Sequence, residues 1–271
     1  MDHEALSSGA GRAGARSAGA GVAVIMVRRA ATRQHQRRRA KESWLTFAPP
    51  TSSLTPRAGF DALDQLVEER CGPHSSSAPA RGPDAEVVTY VHSGSFTYRD
   101  DTGRAELVQT GEFHRMALCR GLRRSETNPS SQWTHLFRLW LRPSQIGLEP
   151  SAEHRRFSAA ERSGALRLIA SPDARDGSLR LHLDARLYSA VLSSGQHVVH
   201  ELPSDRSAWL HVVAGEITLE GQILYTGDSA GLVAERVVSL TARGNAEILL
   251  LDLEHPHHLN SPEPRTEQET T

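Results

Sequence analysis

Between about residue 84 and residue 253 the chain is written in short β-rich runs, with turn signals every eight to twelve residues. That rhythm restricts it to a sandwich or a barrel. Glu86 to Val91 is one run, and Phe96 to Arg99 is another, closed by the turn Asp100-Asp101-Thr102-Gly103. Trp133 to Leu141, Ser207 to Ala214, Glu216 to Leu219 and Glu247 to Leu253 continue the pattern. No helical stripe of comparable length interrupts them, so the expected class is all-β.

A weak repeat divides the chain. Val91-His92-Ser93-Gly94-Ser95-Phe96-Thr97 is echoed by Val213-Ala214-Gly215-Glu216-Ile217-Thr218, and Thr110-Gly111-Glu112 by Thr226-Gly227-Asp228. The glycine spacing is 17 in the first copy (94 to 111) and 12 in the second (215 to 227), a difference that a longer hairpin around Asp100 absorbs. Two copies of one β unit are implied. The joint falls after Pro150, with Pro172 to Gly177 as a turn-rich crossing segment.

The flanks read differently. Residues 1–25 are rich in Gly, Ala and Ser and read as a disordered leader, or as an upstream extension if Met26 is the more natural start. Residues 28–41 carry seven basic side chains (Arg28, Arg29, Arg33, Arg37, Arg38, Arg39, Lys41) and no acid. The bland reading is a solvated arm. Weak contact with nucleic acid or acidic lipid is the sharper one, disfavoured because no aromatic residue interleaves the charges and no DNA-binding motif follows. The expected layout is a disordered basic arm over 1–41, units at 42–150 and 151–254, and a disordered tail at 255–271.

Over 271 residues the net charge is -1, which selects no partner. Cys71 and Cys119 form no CxxC pair, so the chain reads as cytosolic. Two unrelated thiols are the bland reading; redox sensing, with Arg120 and Arg123 near Cys119, is the sharper one. No apolar run approaches the roughly 20 residues that span a bilayer, and no membrane association is expected.

The repeat unit, a strand, a glycine turn and a strand ending in Thr-Gly-Glu/Asp, resembles a cupin. The specific wording resembles the pirin family. It is carried by Glu42 to Phe47, Gly59-Phe60, Glu86 to Val91, Gly111-Glu112-Phe113, Gly121 to Ser130, Leu136 to Trp140 and, nearly verbatim, Ser171 to Leu179. The resemblance implies two cupin barrels in tandem (jelly rolls), with one metal, usually iron, in the first. It also implies that Leu63 to Arg70, locally mixed between helix and strand, is a strand. Some members of the family resemble quercetin dioxygenases, and animal pirin resembles a metal-dependent partner of transcription factors.

In the family the ligands are an H-x-H pair on one strand plus a histidine and a glutamate two residues apart on another. Residues i and i+2 of a strand share a face, which is what such spacing requires. An ungapped placement puts Ala80 and Gly82 at the H-x-H positions, Arg124 at the third histidine and Glu126 at the glutamate. No metal cofactor is therefore expected. His74, His92, His114 and His135 read as surface or packing residues. His182, His197, His200 and His211 show no ligand pattern, and His255, His257 and His258 lie in the tail.

The pocket candidates are Glu86, Arg123, Arg124 and Glu126, with Arg123 or Arg124 expected to pair with a carboxylate and fill the site. The alternative is that the arginine binds a small anionic or flavonoid-like ligand. The preferred function is a non-catalytic or metal-independent binding or regulatory protein, with a protein partner as one option. The competing function is a metal-dependent quercetin 2,3-dioxygenase-like oxygenase.

Overall fold

The computed structural model describes residues 23–47, 59–119 and 121–255. The first half contributes β1 (Val24–Arg28), β2 (Gln34–Arg38), β3 (Lys41–Leu45), β4 (Leu63–Cys71), β5 (Ala80–Arg81) and β6 (Ala85–Ser93). It continues with β7 (Ser95–Asp100), β8 (Ala105–Gln109), β9 (Glu112–Leu118), β10 (Arg123–Thr127), β11 (Thr134–Leu141) and β12 (Ser151–Arg156). The second half holds β13 (Arg167–Ser171), β14 (Leu179–Arg180), β15 (Ala185–Leu192), β16 (His197–Glu201) and β17 (Arg206–Ala214). It ends with β18 (Glu216–Leu219), β19 (Gln222–Tyr225), β20 (Ser229–Val233), β21 (Val237–Ala242) and β22 (Ala246–Glu254).

Each half folds a seven-stranded sheet against a four-stranded one. The first barrel is β12-β9-β6-β11-β4-β3-β2 over β5-β10-β7-β8, and the second is β1-β20-β17-β22-β15-β13-β14 over β16-β21-β18-β19. This is the expected tandem of cupin barrels.

Strand alternation distributes the side chains. On β6, Val87 and Val91 join the first barrel's interior cluster, while Val88 and Tyr90 face the other way. On β22, Ile248 and Leu250 fill the second barrel, while Leu249, Leu251 and Leu253 face out of it. The outward faces meet in one apolar seam that also holds Phe113, Phe137, Leu139 and Trp209. The seam explains the nearly unbroken apolar writing of β22, whose strand is buried on both faces.

The repeat glycines do the same work in both copies. Gly94 and Gly215 have φ of +81° and +86°, and a Cβ on either would come within 2.8 and 2.7 Å of the α-carbons of Thr134 and Ala246. The Gly111 and Gly227 amides donate to Val91 and Val212 carbonyls at 2.9 and 2.8 Å.

Three expectations about the ends need correction. The basic arm is ordered from residue 23, whereas residues 1–22 lie outside the described residues. Strand β1 pairs with β20 of the second barrel, and the β2–β3 hairpin pairs with β4 of the first. Its cations find acids distant in sequence: Arg29 meets Asp228 at 2.8 Å, Arg33 meets Glu68 at 2.7 Å and Lys41 meets Glu69 at 2.7 Å. A local reading of charge could not see those partners.

The boundary after residue 150 also moves. Strand β12 pairs with β9, so the first barrel runs through Arg156. At the other end, His255 is held by Asp61 at 3.1 Å rather than belonging to a loose tail. His257 and His258 lie outside the described residues. No helix among the described residues is long and apolar enough to cross a membrane.

Gly94→Ala and Gly215→Ala are each expected to lower unfolding free energy by about 2–4 kcal/mol, from the left-handed backbone plus a clash with backbone. Gly103→Ala, where φ is +91° but the space is open, should cost only the backbone share, about 1–2 kcal/mol. Urea titration of the three variants checks the ranking.

Candidate functional site

The interior face of the first barrel carries charge as well as apolar groups. On β11, Leu136, Arg138 and Trp140 point inward, because they stand opposite Val91, Thr89 and Val87 of β6. On β4, Val67, Glu69 and Cys71 share that face, whereas Glu68 points to the seam, where it meets Arg33 and His135 at 2.7 and 2.8 Å. Strand β10 closes the other wall with Arg124 and Glu126, and β5 lies beside it, Ala80 directly opposite Arg124.

Ala80, Gly82, Arg124 and Glu126 therefore sit together. A Cβ on Gly82 would come within 2.8 Å of Arg124 Nη1, so the guanidinium occupies the space that a side chain at residue 82 would enter. Arg124 also lies over the Trp140 ring, 5.3 Å from its centroid.

Glu126 is engaged elsewhere. Arg138 Nη1 and Nη2 donate to its two oxygens at 2.7 and 2.5 Å, the two-pronged geometry that matches guanidinium to carboxylate. Arg138 Nε meets Glu69 at 2.9 Å, and Glu69 meets Lys41 at 2.7 Å. The chain Lys41–Glu69–Arg138–Glu126 thus crosses the barrel mouth. Burial pushes the Glu126 carboxyl up, but Arg138, then Arg124 and Lys41, outweigh it and hold the group at about 2.

Arg124 has no such partner: among the described residues, no carboxylate oxygen lies within 4.0 Å of its guanidinium. Its desolvation lowers its pKa, though Glu126 opposes this. The expected salt bridge exists, but the arginine in it is Arg138, not Arg123 or Arg124. Arg123 alternates to the outer face of β10 and is exposed. Glu86 is the other correction. It shares the face of Val88 and Tyr90, is fully buried in the seam, and accepts from the His182 backbone N–H at 2.8 Å, with His182 Nδ1 at 3.1 Å and Arg115 at 3.7 Å.

Arg138 was legible in principle. A cation at an inward position of the run Leu136-Phe137-Arg138-Leu139-Trp140 must have a buried acid beside it. Lys41 and Glu69 carried no comparable signal, because their meeting depends on the register of β3 against β4.

Two cavities open on this cluster. One of about 150 Å³ is bounded by Ala80, Arg124, Glu126, Arg138 and Trp140; the other, about 920 Å³, lies between Glu126, Arg138, Phe96, Leu136, Cys71 and the hairpin residues Arg38 to Lys41. Burial, then Glu69, pushes the Cys71 thiol up, away from a reactive thiolate. Cys119 packs on the interior cluster, and Arg120 lies outside the described residues.

As a donor set for a divalent cation these residues do not fit. Ala80 and Gly82 offer no donor atom, Arg124 brings a fixed positive charge, and the two Glu126 oxygens are occupied by Arg138. Among the described residues, no three His, Cys, Asp or Glu side chains converge in ligating geometry. His114 is the buried histidine of this barrel; its Nε2 contacts Glu106 at 3.1 Å, it packs on Phe96 and Tyr98, and burial lowers its pKa. His74 is exposed, and His92 and His135 face the seam.

Arg138→Met is expected to destabilise by about 3–5 kcal/mol, since it strands Glu126 and leaves Glu69 with Lys41 alone. The pH dependence follows from Glu126, Glu68 and Glu247, whose carboxyls all fall from 4.5 to about 2 in the fold. A depressed carboxyl stabilises above its unfolded value, and the contribution disappears as pH falls through the folded one. Stability should therefore hold above pH ~4.5 and fall steeply between ~4.5 and ~2. The acid limb of Glu126→Gln should be shallower, as equilibrium unfolding across that range will show.

Comparison with known proteins agrees with this architecture. Residues 27–141 match the family model for Pirin, and residues 168–253 that for the quercetinase C-terminal cupin domain. A quercetin 2,3-dioxygenase of Escherichia coli K12 is 36% identical over 235 residues, covering 85% of this chain and 99% of that protein. A pirin-like protein of Caulobacter vibrioides is 31% identical over 194 residues, 71% of this chain and 84% of that one. The crystal structure of YhhW from Escherichia coli superposes with a TM-score of 0.80 at 35% identity, covering 87% of this chain and all of that one. The nickel(II) complex of the same bacterial pirin gives 0.79 at 34% identity, covering 86% of this chain and 100% of that one. Two barrels in this order, the repeat glycines and these matches along both halves place the chain in the pirin family.

Proposed function

We propose that the first barrel is a metal-independent pocket for a small organic anion, carboxylate- or flavonoid-like, and that the chain acts as a binding or regulatory protein. The observation that carries this is Arg124: a half-buried guanidinium without a carboxylate partner among the described residues, held on Trp140 beside a cavity. A planar fork of donors in a partly desolvated site pairs with an oxyanion more strongly than it would in water.

The second barrel supplies the contrast. Its interior is filled by Leu210, Val212, Ile217, Leu240, Ile248 and neighbouring apolar groups. Charge on its interior face centres on Arg206, Asp252 and His200, which pair with one another. The first barrel differs in leaving Arg124 without a carboxylate among the described residues, and that difference supports a role in recognition. The free thiols fit a reducing, cytoplasmic setting.

A second reading, a quercetin 2,3-dioxygenase-like oxygenase, is favoured by the name of the 36%-identical relative. It rests on likeness rather than on the site, and it requires a redox metal that Ala80, Gly82, Arg124 and Arg138-bound Glu126 do not suit.

Two measurements separate the readings. In thermal-shift screening, a carboxylate or flavonoid at about 100 times its Kd should raise Tm by about 5 °C or more. Arg124→Ala should abolish that shift while lowering the ligand-free Tm only slightly, since the stacking on Trp140 and the field it adds at Glu126 are offset by the relief of a desolvated charge. A screen without any such shift defeats the proposal. Elemental analysis of the purified, tag-free chain should return below about one-tenth of an equivalent of iron, copper, nickel or manganese; a value near one restores the oxygenase.

A further inference from the structure

The inner face of the first barrel does not stop at its rim. In the β2–β3 hairpin Gln36, Arg38, Lys41 and Ser43 share one face, and the register against β4 makes it the face of Val67, Glu69 and Cys71. The hairpin thus extends the binding wall outward, and a third cavity of about 370 Å³ runs along it between Gln36, Arg38, Leu45, Val67 and Trp140. Lys41 borders all three cavities, so they adjoin one another.

Charges along this groove are not all compensated. Lys41 is paired with Glu69, and Arg37, on the opposite face, is near Glu42 at 3.3 Å. Among the described residues, Arg38, Arg39 and Arg124 have no carboxylate within 4.0 Å. Arg124 stands at the inner end, while Arg38 and Arg39 stand at the outer one, on the turn of the hairpin. Between the two ends Phe96, Leu136 and Trp140 offer apolar surface, beside Glu69, Arg138 and Glu126, whose charges are met by one another and by Lys41.

We infer that the pocket takes an elongated dianion, with a flat apolar middle and an oxyanion group at each end, one held by Arg124 and the other by Arg38 and Arg39. This rests on the anion-binding reading above and adds the second pole. It also gives the basic hairpin a role: its unpaired arginines belong to the site.

The test is calorimetric titration of the full chain with biphenyl-4,4′-dicarboxylate and biphenyl-4-carboxylate. The dicarboxylate is expected to bind at least about tenfold tighter, an advantage that shrinks as salt is raised. In Arg38→Gln/Arg39→Asn the advantage should vanish, leaving the two ligands equal; asparagine is chosen at residue 39 because φ there is +47°. Arg124→Ala should lose both ligands. Equal affinities in the wild-type chain, or an advantage that survives in the double variant, overturn the two-pole site while the single-anion pocket stands. Binding of neither ligand removes both proposals.

Discussion

Two seven-stranded sheets whose outward faces are apolar cannot each stand alone in water; those faces have to meet. Strand alternation sends Val88, Tyr90, Phe137 and Leu139 from one sheet, and Leu249, Leu251 and Trp209 from the other, into a common seam. Two carboxylates there are paired across it. Glu247 accepts from Tyr90 and Arg162 at 2.6 Å each, and Glu86 is held by His182. With one face of each sheet fixed in this way, the alternate residues have no choice but to point into the barrels, and the character of each barrel follows from them.

The barrels share a frame and differ in content. Gly94 and Gly215, Gly111 and Gly227 make equivalent turns, so the repeat concerns backbone rather than side chains. The second barrel is packed with aliphatic groups around a closed ion cluster, Arg206–Asp252–His200. The first holds a line of alternating charge, Lys41–Glu69–Arg138–Glu126, with Arg124 beside it. A fully neutralised line would be a structural ion network of modest net worth. The unpaired guanidinium is what sets the first barrel apart, and it is the feature on which the proposed anion site rests.

The parts legible beforehand were those set by local chemistry. The turn glycines and the β-rich runs located β6, β7, β11, β17, β18 and β22, and the family resemblance, rather than local chemistry, brought residues 80, 82, 124 and 126 into one cluster. The failures have a common cause. Glu86, expected at the pocket, lies in the seam because its parity along β6 is that of Val88 and Tyr90. Arg123 missed the interior by the same one-residue alternation. The basic arm reads as solvated because Glu69, Glu68 and Asp228, which pair with Lys41, Arg33 and Arg29, lie 28 to 199 residues from those partners. Long-range register decides such matters, and a single sequence carries little of it.

The arm has a further implication through its strand order. Strand β1 completes the edge of the far barrel while β2 and β3, only a few residues on, widen the near one. Neither half of the chain is thus self-sufficient: severed from the first segment, the second barrel would present the backbone of β20 as a bare edge, the kind of unpaired template on which chains assemble sheet to sheet. The opening stretch acts as a selvedge, finishing two fabrics at once and leaving no natural line along which they could be parted.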